Sequence, residues 1–371
     1  MGQRRVVADG STPAGTYSPA VVAGGLVFVS GLVGTGADGN LVGTDVQSQT
    51  KRVFERLKAT LEAAGSSIEQ LVTINVYLSR ASDFDAMNTA YRESISDKPP
   101  ARTTVVADLT GGALVEMSAV ALPNGAGRET MLPAGWMKSP RPYSYIVRTG
   151  DLVFLSGLVS RRGTDDQVVV GSAKEQTKTI LDNAATLLRT AGLTLEDVVA
   201  ARVFITDDLY FEDMNEVYRT YFPRKPPARA TAVVGLMGVD SKIEITLIAS
   251  VSPKTALGPQ VAPTLPLSTA VRTGSLTFLS GVLGNTDANA GDLPAQTREV
   301  LTRIGRTLNA EGLAMSDVVD STVYMTDVTQ HAKMNDVYKE FFLTEPPART
   351  TVGTRLVSKG GLVEILMVAV K

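Results

Sequence analysis

The chain has 371 residues, 44% hydrophobic and 20% charged, the balance of soluble globular protein and too apolar for disorder. Lys+Arg 36 against Asp+Glu 38 leaves a formal charge of -2, which excludes the basic footprint of a nucleic-acid binder. The lack of cysteine excludes disulfides, thiol nucleophiles and thiolate metal sites, and a single histidine, His331, argues against a histidine-based one. Two N-terminal arginines are followed by no apolar run, and no stretch approaches the ~20 apolar residues that span a bilayer, so a cytoplasmic protein without membrane contact is expected.

In chain order, "LVFVSGL" at 26–32 is β-branched and aromatic and reads as a buried strand. From Asp45 to Ala64, apolar Val46, Val53, Leu57, Leu61 and Ala64 follow a 3–4 spacing, an amphipathic helix stopped by Gly65. "LVTINVYL" at 71–78 is a second strand. Ser82 and Asp85 resemble a capping box opening a second helix through Phe84, Met87 and Tyr91, and Pro99-Pro100 lies beyond its end. Strands around Arg102–Asp108 and Leu114–Ala121 are expected to pair as a hairpin about "LTGGA".

The same order then recurs twice. "LVFVSG", "LVFLSG" and "LTFLSG" place Ser30-Gly31, Ser156-Gly157 and Ser280-Gly281, offset by 126 and 124 residues. "MNTAY", "MNEVY" and "MNDVY" place Asn88, Asn215 and Asn335, each 14 residues before the arginine of a Pro-Pro-Ala-Arg: Arg102, Arg229 and Arg349. Glu116, Glu244 and Glu364 follow those arginines by 14, 15 and 15 residues. Four anchors in register three times make a tandem triplication. The expected modules are 1–122, 141–251 and 267–371, joined by Pro/Gly-rich linkers 123–140 and 252–266, with the only tryptophan, Trp136, packing the first linker onto the surface. Three α+β modules in one chain point to a closed pseudo-trimeric barrel, sheets inside and helices outside, monomeric because linkage replaces association.

These anchors resemble the Rid/YjgF family of reactive intermediate (enamine/imine) deaminases, over nearly the whole chain. The resemblance implies chorismate-mutase-like modules with sites in the clefts between them, and cofactor-independent hydrolysis of small 2-enamino or 2-imino acids to 2-oxo acids and ammonium. It assigns the substrate carboxylate to Arg102, Arg229 and Arg349, and the water-handling acid to Glu116, Glu244 and Glu364. It adds Tyr17 and Tyr143, 13 residues before Ser-Gly, together with Ser30, Gly31, Ser156, Gly157, Ser280, Gly281, Asn88, Asn215 and Asn335.

The chemistry fits those types. A guanidinium fork takes a carboxylate bidentately, and one carboxyl group can serve as base and acid in turn without a metal. From the residues alone, the arginines and glutamates could equally lock the modules as ion pairs. The serines could be turn formers, the asparagines helix residues bonded to a nearby loop, and the tyrosines core-edge aromatics. Strand spacing argues against an arginine meeting the glutamate of its own module, so sites at module junctions are expected.

Departures from the family pattern mark the copies. Leu267 replaces the tyrosine in the third, Leu32, Leu158 and Val282 follow Ser-Gly where glutamine is common, and Thr104, Thr231 and Thr351 stand where cysteine is common. One weakened site and a shifted substrate preference follow as expectations. The competing readings are a catalytically idle binder or scaffold, a related pathway-specific C–N hydrolase, and a ring-opening amidohydrolase. The last needs a recurring lysine, and Lys98 and Lys225 are followed by Glu345.

Overall fold

The computed structural model describes residues 4–8, 16–95, 97–258 and 265–371; the first-module residues 1–3 and 9–15, and 259–264 of the second join, lie outside the described residues. The first helix runs Val46–Ala64: the Asp45 side chain accepts from the Ser48 N–H at its start, and Gly65, at φ 79°, ends it in the left-handed region that glycine adopts without strain. The second runs Phe84–Ser94, entered through the 3₁₀ turn Ala81–Asp83 without a side-chain cap. The expected Ser82–Asp85 capping box is therefore absent; Asp83 instead pairs with Arg80 at 3.0 Å.

The expected hairpin is also absent. Strand Ala101–Val106 lies parallel to Leu71–Leu78, which separates it from Val115–Ala121. The cause is the intervening helix: a strand–helix–strand crossover returns the chain parallel to its start, and the last strand then enters on the other side. The arginine strand is thereby left beside its sheet's edge. The same order recurs in modules 2 and 3, with Ala228–Val233 beside Val198–Ile205 and Ala348–Gly353 beside Val318–Met325.

The sheets do not merge into one barrel. Three separate seven-stranded sheets face a common interior. Helix residues belong to the three clusters between each sheet and its helices. The two clusters where sheets meet hold none; they are built from residues such as Phe28, Phe154 and Phe278, and Ala101, Ala228 and Ala348 of the three Pro-Pro-Ala-Arg segments. Strand alternation turns each such alanine inward and sends the following arginine to the helix face.

Backbone pairing closes the ring. Gly235–Leu236 of module 2 adds to the Ala101–Val106 edge, Arg355–Leu356 of module 3 adds to Ala228–Val233, and Asp108 of module 1 bridges Gly353 with N···O distances of 2.9 and 2.7 Å. The joins are not plain loops. Glu129–Met131 pairs with Ile146–Arg148, and Lys254–Leu257 with Ala270–Thr273, each extending the sheet that follows. Trp136 in the first join stands edge-on to Tyr145 with centroids 5.4 Å apart. No helix among the described residues is long and apolar enough to cross a membrane.

Candidate active site

Each junction unites the arginine strand of one module with the Ser-Gly strand and closing strand of the next. Arg102 meets Ser156, Gly157 and Glu244; Arg229 meets Ser280, Gly281 and Glu364; Arg349 meets Ser30, Gly31 and Glu116. The order is cyclic, module 1 onto 2, 2 onto 3, 3 onto 1.

The serines are occupied by the seam. Each hydroxyl accepts from the arginine backbone N–H at 2.8 Å and donates to a carbonyl of its own module: Ser156 to Ser144 at 2.7 Å, Ser280 to Ser268 at 2.5 Å, Ser30 to Ser18 at 2.6 Å. They are buried and fix the arginine strand rather than presenting a free hydroxyl. Ser18, Ser144 and Ser268, which the sequence reading passed over, donate in turn to Pro346, Pro99 and Pro226. The Pro-Pro, which lies beyond the helix end, therefore offers the next module its carbonyls. The signal was available: in each copy a serine follows the Tyr/Leu position directly.

The glycines have a different reason. A Cβ on Gly31, Gly157 or Gly281 would stand within 2.0 Å of the Oε1 of Glu116, Glu244 or Glu364. Only glycine lets the carboxyl lie across the strand.

Each guanidinium lies against a tyrosine of its own second helix, at 4.8 Å for Tyr91, 4.9 Å for Tyr218 and 4.7 Å for Tyr338. These rings recur 11 residues before each arginine, a periodicity legible in the sequence but read only as core. From across the junction, Tyr143 approaches Arg102 at 5.7 Å and Tyr17 approaches Arg349 at 5.6 Å. Leu267 leaves Arg229 without that ring. The asparagines differ: Asn88 accepts from Arg102 at 2.8 Å and donates to the Phe84 carbonyl at 2.8 Å, whereas Asn335 Oδ1 and both side-chain polar atoms of Asn215 have no partner. The Thr104, Thr231 and Thr351 backbone N–H groups bond Glu244, Glu364 and Glu116. Thr104 also lines the cleft between modules 1 and 2 with Arg102, Tyr143, Gly157 and Glu244. His331 takes the place of Phe84 and Phe211 in the third copy, its Nδ1 3.2 Å from the Val328 carbonyl.

Charge and burial set the chemistry. All three glutamates are buried, and burial pushes their carboxyls up to about 8, offset only in part by the facing arginine and the threonine N–H. Burial also lowers the three arginines from their ordinary value, against the nearby tyrosines and the facing glutamate. Among the described residues none of these arginines closes on its glutamate within 4.0 Å, so the structural ion pair is not formed. Arg229 Nε, Arg349 Nη1 and Glu364 Oε2 are buried without a partner in the protein. Arg229 and Glu364 belong to one seam, so a water or a polar ligand there satisfies both.

Such a molecule is a pseudo-trimer of α+β modules that brings a buried arginine and glutamate together at each seam, with a polar cleft between modules 1 and 2. The chain belongs to the family described as endoribonuclease L-PSP, whose model matches it three times, over residues 9–122, 136–251 and 258–371; this is the Rid/YjgF family of the resemblance. A RutC family protein of Sulfurisphaera tokodaii is 38% identical over 122 residues, 33% of this chain and 98% of that protein. The 3-aminoacrylate deaminase RutC of Acinetobacter baylyi is 35% identical over 124 residues, again 33% and 98%. Over the whole molecule, a solved chorismatase structure aligns with TM-score 0.56 at 16% identity, covering 81% of this chain and 93% of that one, a likeness of fold.

Proposed function

We propose that the chain is a cofactor-independent deaminase that hydrolyses 2-imino or 2-enamino acids to 2-oxo acids and ammonium at the module junctions. The observation that carries this reading is the buried, unclosed pairing of arginine and glutamate at each seam. The arginine takes the carboxylate; the glutamate faces the reacting carbon and nitrogen. With its carboxyl pushed up to about 8, the glutamate is mostly protonated at neutral pH and begins as an acid. It gives its proton to the imine nitrogen, making the carbon electrophilic. The carboxylate so formed takes a proton from the attacking water, and the resulting carbinolamine loses ammonia as its hydroxyl becomes the carbonyl. One residue working as acid and then base supplies about 10²–10⁴-fold, enough for a bond that hydrolyses readily unaided. The deaminase named among the relatives supports the reaction class.

The test generates 2-imino acids in situ with an amino-acid oxidase and traps them with semicarbazide. The protein is expected to lower the trapped product. No effect across a broad set of side chains refutes the reading and leaves a binder that uses the same clefts.

A further inference from the structure

The three clefts are not equivalent. Beside Arg102, Tyr143 and Glu244, the cleft between modules 1 and 2 is walled by two more arginines, Arg141 and Arg161. Arg141 opens module 2, directly after the first join; its guanidinium lies 4.4 Å from the Phe84 ring centroid and 3.2 Å from the exposed Asp85 carboxylate. Arg161 bonds Asp166 through Nη1 alone, at 2.6 Å to the backbone oxygen and 3.2 Å to Oδ2. Its Nε and Nη2 have no partner among the described residues.

Neither arginine belongs to the repeat. Counted from Ser-Gly, Arg161 corresponds to Thr35 and Asn285; counted from the tyrosine position, Arg141 corresponds to Gly15 and Leu265. The exposed Arg141–Asp85 pair contributes little to stability, and the part-buried Arg161–Asp166 pair engages one nitrogen of its guanidinium and leaves two for a further partner. Three guanidiniums face the carboxylates of Asp85 and Asp166 and the largely protonated Glu244, an excess of positive charge in this cleft.

We propose that Arg141 and Arg161 form a second anion subsite, and that this cleft takes a 2-imino dicarboxylic acid. The carboxylate beside the imine sits on Arg102 and the distal carboxylate between Arg141 and Arg161. The other two clefts, with Thr35 and with Leu265 and Asn285 at those positions, take monocarboxylic imines. The imine part rests on the deaminase reading; the anion subsite does not.

Trp136 makes the test specific. It is the only tryptophan, and its ring lies against Gly163, where a Cβ would stand 2.1 Å from it, two residues beyond Arg161. Titration of the full chain with 2-oxoglutarate and with pyruvate, followed by tryptophan fluorescence and by calorimetry, reads affinity without turnover. The dicarboxylate is expected to bind at least about tenfold more tightly, as a second charge-assisted contact implies. That preference is expected to vanish in Arg161→Asn and to return in part in Arg161→Lys. Equal affinities, no binding of either acid, or a preference that survives Arg161→Asn overturns the proposal. The oxidase assay run with glutamate and alanine separates the two readings. A binding preference without acceleration of any imine removes the deaminase and keeps the subsite; acceleration without preference does the reverse.

Discussion

The glutamates carry most of the chemistry proposed above, and their environment makes them measurable. Each is buried, with its carboxyl raised from 4.5 to about 8 in the folded chain. The folded state therefore holds protons that the unfolded chain releases from about pH 4.5 upward. The stability they contribute is full below that value and falls as pH rises toward 8, by at most roughly 1.4 kcal/mol per pH unit for each carboxyl. Urea titrations of the native chain and of Glu244→Gln should show the decline shallower in the variant; an unchanged slope would place Glu244 in an ordinary carboxylate environment. Turnover is expected to drop as pH rises through about 8, where the folded carboxyl gives up its proton and the starting acid is lost. Single Arg102→Ala, Arg229→Ala and Arg349→Ala variants should reduce semicarbazide-protected turnover unequally. Arg229→Ala should cost least, since Leu267 already leaves that cleft without the ring that Tyr17 and Tyr143 supply. Equal losses would contradict this.

At the scale of elements, the seam is a hydrogen-bond relay from helix end to strand. The Pro-Pro carbonyl takes a serine hydroxyl of the next module, that serine's own carbonyl takes the Ser-Gly hydroxyl, and the Ser-Gly hydroxyl takes the arginine N–H. Ser156→Ala orphans the buried Arg102 N–H and should cost about 1–3 kcal/mol, read as a lower urea midpoint, with loss of the Arg102 cleft and retention of the other two. Much of this was legible: repeated spacing revealed the triplication with its recurring arginine and glutamate, and apolar spacing revealed both helices. The strand order was not. "LTGGA" has the glycines of a tight turn, with Gly111 and Gly112 at φ 65° and 75°, yet it links strands separated by a third. Local residues specify the turn; the crossover helix specifies the neighbours. Nor could spacing within a copy reveal Arg141 and Arg161, since neither recurs.

At the scale of the whole molecule, the three seams differ in how far apart in the chain their partners lie. The Ser156–Arg102 and Ser280–Arg229 bonds join residues 54 and 51 positions apart; the Ser30–Arg349 bond spans 319. Direct closure from the unfolded chain costs about 0.6 kcal/mol more for each doubling of the loop, so the last seam starts roughly 1.6 kcal/mol behind. Hydrogen exchange during refolding should protect the Arg102 and Arg229 amides before that of Arg349; simultaneous protection would mean that the ring forms in one concerted step.

The cyclic pairing of modules also sets an order of birth for the clefts. A chain emerging N-terminus first completes the Arg102–Glu244 cleft when module 2 arrives, and that is the cleft with the extra arginines. The Ser30, Gly31 and Glu116 face of module 1 is made earliest and finished last, left uncovered until the Arg349 strand of module 3 arrives. A ribosome that stalls after module 2 thus releases a protein with one finished cleft and a sticky flank. The last cleft certifies that module 3 has been made and has reached module 1.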